Sequence, residues 1–270
     1  MRRKMDTLDS SFYHISELRL KAKMDSFMNQ WMESCAIPED WFSSDGFYPC
    51  YTRKHYKILI IGRESRGLGG RDYIKVLHHA YKGFDGKGQT IGGRPMNCHA
   101  FHRRIFYLVY GILNNFPDFN CLPKPNNLAI RFATKDGISF AFMEISKISN
   151  PDDNDSSSNW KNIAKSIKSA TSEGHNFIRD EIELLAPDII IGSGIWNLHT
   201  IIQHGNIEKL DNNAYLLKDF PTQNVSIPYE AKKHKNILYF PTYHFSARRF
   251  GDRWFYDHIG NLFKLFRCRL

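Results

Sequence analysis

The run Tyr56-Lys-Ile-Leu-Ile-Ile-Gly62, which breaks at once into Arg63-Glu64-Ser65-Arg66-Gly67-Leu68-Gly69-Gly70, decides the fold class. An unbroken apolar stretch that ends in glycine and charge reads as a buried strand delivering reactive groups at its carboxyl end. The same grammar recurs in Ser139-Phe-Ala-Phe-Met-Glu144-Ile145, in Asp188-Ile-Ile-Ile-Gly-Ser-Gly194 and in Asn236 to Phe240, which runs into Pro241-Thr-Tyr-His244-Phe-Ser246-Ala-Arg-Arg-Phe-Gly251.

Helical periodicity fills the intervals. Phe101, Ile105, Leu108, Val109 and Ile112 mark one helix, and Trp160, Ile163, Ala164 and Ile167 begin another. Phe177 to Ala186 form a third, stopped by Pro187, while Ile195, Leu198 and Ile202 continue the Gly194 strand as a helix. Phe255, Ile259, Leu262 and Phe266 close the chain. Strands alternating with helices predict an α/β fold with three layers, α/β/α, around a central four-stranded parallel sheet with right-handed crossovers. Residues 51–270 are expected to form this domain. Residues 1–50, whose Ile15, Leu18, Met24, Phe27, Met28, Trp31 and Met32 lie at helical spacing, are expected to be a helical and irregular segment packed on it. The segment from Asp211 to Lys235 reads as a polar insertion, and the glycine-dense stretch between Ala80 and Met96 as a loop.

The chain has 270 residues, 42% hydrophobic, enough for a full core, and an aromatic share of 14% that suits core packing first and base stacking second. With 37 Lys and Arg against 28 acidic residues, the net charge of +9 favours a polyanionic partner. Charge alone names no substrate. The five cysteines show no metal-site spacing and His199, His204, His234 and Asp188 show none either, so neither a metal nor another cofactor is expected. No apolar run approaches the length of a membrane span, which gives the expectation of a soluble, cytoplasmic monomer.

In open α/β sheets ligands sit outside the carboxyl ends of the strands, near the reversal of strand order, so Glu64 and His244 are expected to face one pocket. With the strand ends laid out, the chain resembles the uracil-DNA glycosylase superfamily, which carries a G-Q-D-P-Y-H-type loop after its first strand and an H-P-S-P-type loop after its last. Here these are Gly62-Arg63-Glu64-Ser65-Arg66-Gly67 and His244-Phe245-Ser246-Ala247. Gly62, His244 and Ser246 match, and Glu64 stands for the family's aspartate. The likeness runs from Tyr56 to the C-terminus in the order and spacing of elements.

The resemblance implies a divergent DNA glycosylase: a base is flipped into the pocket and its N-glycosidic bond is hydrolysed through an oxocarbenium-like sugar. It makes Glu64 and His244 the catalytic candidates, Glu64 orienting water or stabilising the cation and His244 donating to the departing base. Glu144 falls where the family has an asparagine that reads the pyrimidine edge. An ionised carboxylate there only accepts hydrogen bonds and would favour an exocyclic amino group over uracil. Phe84 is the candidate stacking aromatic, and Ser65 joins the base pocket. Arg63, Arg66, Ser246, Arg248, Arg249 and Phe250 are assigned to nucleic acid, Phe250 as an apolar wedge and the arginines as phosphate contacts. The implied partner is DNA, single- or double-stranded, or a nucleotide. Two other readings stand beside this one: a non-catalytic binding member of the superfamily, and a nucleoside or nucleotide hydrolase.

Overall fold

The computed structural model describes residues 7–83, 90–91, 93–151, 158–172, 174–223 and 232–270. Seven strands form the main sheet: β1 (Gly46–Phe47), β2 (Ile58–Arg66), β3 (Ala141–Asn150), β4 (Ile189–Ser193), β5 (Ile207–Asp211), β6 (Ala214–Gln223) and β7 (Lys232–Thr242). Their spatial order is β1-β3-β2-β4-β7-β6-β5. The inner four, β3-β2-β4-β7, pair in parallel. Added to the four strands expected are β1, antiparallel to β3, and the antiparallel β5-β6 ribbon on β7.

The sheet is therefore mixed and seven-stranded. The insertion read between Asp211 and Lys235 contains β6 and the start of β7. Its side chains alternate in burial, with Ala214, Leu216 and Phe220 inside and Lys218 and Asp219 at least partly exposed, so a half-covered edge reads as polar sequence.

Eight α-helices are found among the described residues: α1 (Leu18–Ser34), α2 (Tyr73–Lys82), α3 (Ala100–Leu113), α4 (Pro125–Ile130), α5 (Trp160–Ala170), α6 (Phe177–Leu185), α7 (Leu198–Ile201) and α8 (Asp252–Phe266). The helix expected from Ile195 to Gly205 is cut to the single turn α7. Ile58 to Ile61 and Ile189 to Ile191 are fully buried, and because consecutive strand residues point to opposite faces, both faces of the sheet are covered. The covering helices fall into two packed groups: α2, α3, α4 and α8 in one, α1, α5 and α6 in the other. Tyr73 of α2 stacks on Phe142 of β3 at 4.5 Å. On the other face of the same strand, Lys147 meets Glu181 of α6 and the ring of Trp31 of α1.

The N-terminal segment shares this core. Leu20, Met24, Met28 and Trp31 line the buried face of α1, and Trp31 stacks on Phe177 of α6 at 5.5 Å. Glu17 ties the entry to β2 by accepting hydrogen bonds from the backbone N–H groups of Cys50 and Thr52 at 2.8 and 2.9 Å.

From β2 the chain crosses to β3 on one side and then returns past β2 to β4 on the other. Strand order reverses at β2. Open α/β sheets bind ligands outside the carboxyl ends of the strands that flank such a reversal, here β2 and β4.

Candidate functional site at the carboxyl ends of the strands

The first site segment is strand and not loop. β2 continues to Arg66, with Gly62 opposite Glu144 and Glu64 opposite Ser146 on β3, before an irregularity sets Arg66 opposite Asn150. Two extra residues on β3 bend its end toward β2, and Asn150 donates through Nδ2 to Glu64 Oε1 at 3.2 Å. The backbone N–H of Asn159 donates to the same oxygen at 2.9 Å. Glu64 is thus buried and held through one oxygen.

Gly62 and Glu144 share one face of this pair. Gly62 has no side chain because the Glu144 carboxyl occupies the place where one would stand: a Cβ would lie 2.4 Å from Oε2. Lys147, three residues on, forms ion pairs with Asp45 at 2.6 Å and Glu181 at 2.8 Å, and reaches only the main-chain oxygen of Glu144, at 3.0 Å. Asp45 in turn accepts from the Glu144 backbone N–H at 2.6 Å. Glu144 Oε2 is buried with no hydrogen-bond partner among the described residues.

Burial first, and the Asp45 charge second, push the Glu144 pKa well above the ordinary carboxylate range, with Glu64 adding to the effect and Lys147 and Arg63 opposing it. The direction of this shift favours the protonated form of Glu144. A protonated carboxyl, unlike the ionised acceptor-only group expected, offers one donor and one acceptor, as an amide does.

His244 stands two residues beyond β7. Its Nδ1 accepts from the Ser246 backbone N–H at 3.3 Å, and its ring lies 5.3 Å from that of Phe101 on α3. Burial lowers its pKa to about 4, and the nearby guanidinium groups of Arg63, Arg66 and Arg104 contribute in the same direction. The imidazole is neutral near pH 7, and with Nδ1 accepting, the proton resides on Nε2, which is left as a donor.

Arg104 fixes the loop that carries His244. Its guanidinium pairs with Asp252 at 2.9 Å, donates to the carbonyls of Phe245, Ala247 and Phe250, and rests 4.5 Å from the Phe255 ring. Nothing in the sequence marks this role, because most of its partners are main-chain oxygens of a distant segment.

The predicted residues thus divide. Glu64, Glu144, His244, Arg63 and Arg66 are brought together: Glu64 and Arg63 act on Glu144, and Arg63 and Arg66 act on His244, through their charges. Arg63 is committed inward: it lies over Trp160 at 4.8 Å, donates to Ser158 Oγ and fills the space above Gly194, whose φ of +73° suits glycine. Ser65 alternates to the side of β2 opposite Glu64 and is buried, so it does not join Glu144.

Ser246, Arg248 and Arg249 are exposed on the last loop. Phe250 is not a projecting wedge: it is half-buried, stacked on Trp254 at 4.1 Å. Phe84 lies outside the described residues. The aromatics that the structure sets beside the site are Phe101, next to His244, and the stacked pair Tyr73 and Phe142, with Phe101 and Phe142 6.3 Å apart. Their spacing in sequence reads only as core. Asn150, which closes the buried strand β3, is a site neighbour that its residue type at a strand end could have signalled.

Among the described residues no group of three or more His, Cys, Asp or Glu could hold a metal ion, and no helix is long and apolar enough to cross a membrane. No protein-family model matches this chain, and no curated protein matches it either.

Proposed function

We propose that this chain is a divergent DNA glycosylase of the uracil-DNA glycosylase-like kind, hydrolysing the N-glycosidic bond of a base turned out of DNA into a crevice at the carboxyl ends of the inner strands. The observation that carries this reading is the convergence of an anchored carboxylate, Glu64, a neutral imidazole donor, His244, and a neutral carboxyl, Glu144, where strand order reverses. The four parallel strands within the larger sheet fit the core that this superfamily implies.

The roles follow from charge development. As the glycosidic bond stretches, the sugar becomes cationic and the base anionic. Glu64, held through Oε1 by Asn150 and Asn159, keeps Oε2 to face the sugar or to orient and deprotonate water. His244 stays neutral and donates from Nε2 to the oxygen on which the leaving base gathers charge. A fixed donor of this type contributes about 10²–10³ in rate in other enzymes.

Glu144 reads the base edge. Its hydroxyl donates to a ring carbonyl while its carbonyl accepts from a ring N–H, which is the pattern of uracil or a related oxo-pyrimidine. The expected preference for cytosine or adenine disappears with the negative charge that motivated it.

The test is incubation with oligonucleotides carrying uracil, other deaminated bases or normal bases, followed by abasic-site detection. Release of an oxo-pyrimidine is expected. Binding without release from any member of the panel would replace this reading by the non-catalytic one.

A further inference from the structure

Beside the site lies a surface that the glycosidic chemistry does not use. Trp196, just past the end of β4, and Tyr243, next to His244, are each 43% exposed, with ring centroids 5.4 Å apart and nearly perpendicular. Large rings left half open to water lose the benefit of burial that most aromatics in this chain enjoy. They are not loose. Tyr243 packs on Phe250 at 4.7 Å, and Phe250 stacks on Trp254 of α8 at 4.1 Å and 21°. Arg104 pins the loop carrying both Tyr243 and Phe250 through its main-chain oxygens.

Charge accompanies the rings. Arg248 and Arg249 are exposed on the same loop, and the Arg249 guanidinium lies 5.4 Å from the Phe250 ring. A rigid pair of open aromatic faces flanked by arginines suits successive unpaired bases with their phosphates, because every base has a face to stack and a duplex hides it.

We infer that Trp196 and Tyr243 form a stacking platform for single-stranded DNA, beside the pocket, and that the protein prefers single strands over duplex. The inference rests on the proposed function for its choice of DNA as the polyanion. A strand with one base in the crevice would lay its neighbours across Tyr243 and Trp196 while Arg248 and Arg249 neutralise the phosphates.

Binding is measured by fluorescence anisotropy with a labelled oligothymidine and with the matching duplex, over a series of salt concentrations. Normal bases are used, so turnover does not enter. The single strand is expected to bind at least tenfold tighter than duplex. Trp196→Ala and Tyr243→Ala should each weaken it about tenfold, within the ~1–3 kcal/mol measured for base stacking. Trp196→Phe, which keeps a ring, should retain most of the affinity and shows that loss in the alanine variant is not misfolding. Replacing Arg248 and Arg249 together by alanine should flatten the salt slope by about 1.4, two contacts at about 0.7 each. Equal affinity for single strand and duplex, or no effect of either alanine, overturns the platform. Preferential single-strand binding without base release would sustain the platform and overturn the glycosylase reading, whereas no DNA binding would overturn both.

Discussion

Gly62 and Glu144 face each other across the parallel pair β2–β3, with the Glu144 carboxyl seated directly over the glycine Cα. A methyl group there would stand 2.4 Å from Oε2, well inside contact distance. Gly62→Ala must therefore move a buried carboxyl. It is expected to destabilise the fold by about 1–3 kcal/mol, as overpacked cores do, and to lower affinity for the base. Chemical denaturation and equilibrium binding report the two effects separately.

Burial and the Asp45 charge favour the protonated form of Glu144, of which glutamine is the closest mimic. The fold raises this pKa above that of the unfolded chain, so the group favours folding at pH below the unfolded value, and that contribution is lost as pH rises toward the folded one. Glu144→Gln removes the loss. The variant should melt at or above the parent at neutral pH, with a gap that widens as pH rises above the ordinary carboxylate range, and should keep its preference for an oxo-pyrimidine. A glutamine variant that melts lower throughout would mean that Glu144 is ionised.

His244 carries a shift of the opposite sense. Its folded pKa of about 4 lies below the ordinary 6.5, so its contribution to stability is complete above pH 6.5 and is lost as pH falls toward 4. Imidazole resonances followed by NMR should show no titration of His244 between pH 8 and 5.5. Arg63→Ala should move the midpoint upward, since the Arg63 charge is one of its causes.

Lys147 is wholly buried between Asp45 and Glu181, with the Trp31 ring at 4.7 Å. Lys147→Met leaves two carboxylates without their cation and should cost about 3–5 kcal/mol of stability, read as a shift in denaturation midpoint. Asp45 also holds the Glu144 main chain, so base affinity should fall with it.

Much of this architecture can be read from sequence where apolar patterning is undiluted. The inner strands and helices α3, α5, α6 and α8 each announce themselves by an unbroken run or a clear period. Helix α2 escapes because its apolar stripe is interrupted by His78, buried and uncharged near pH 7 with its pKa down at about 4, which polarity scales count as surface. The extension of β3 from Ser146 to Asn150 is hidden for a related reason: Lys147 and Asn150 are polar residues satisfied inside the protein by Asp45, Glu181 and Glu64. Glu64 and His244 stand out in the sequence because each comes just after an unbroken apolar run. The protonation state of Glu144 and the Arg104 clamp depend on residues far along the chain, and no local pattern contains them.

Single-turnover release of base from a uracil-containing single strand, with binding measured in parallel, tests the central claim most directly. The parent should release uracil, while Glu64→Gln and His244→Ala should each reduce the rate by about 10²–10⁴ and leave affinity within a few-fold. Release that persists at the parental rate in both variants would contradict the assignment of the chemistry to this crevice.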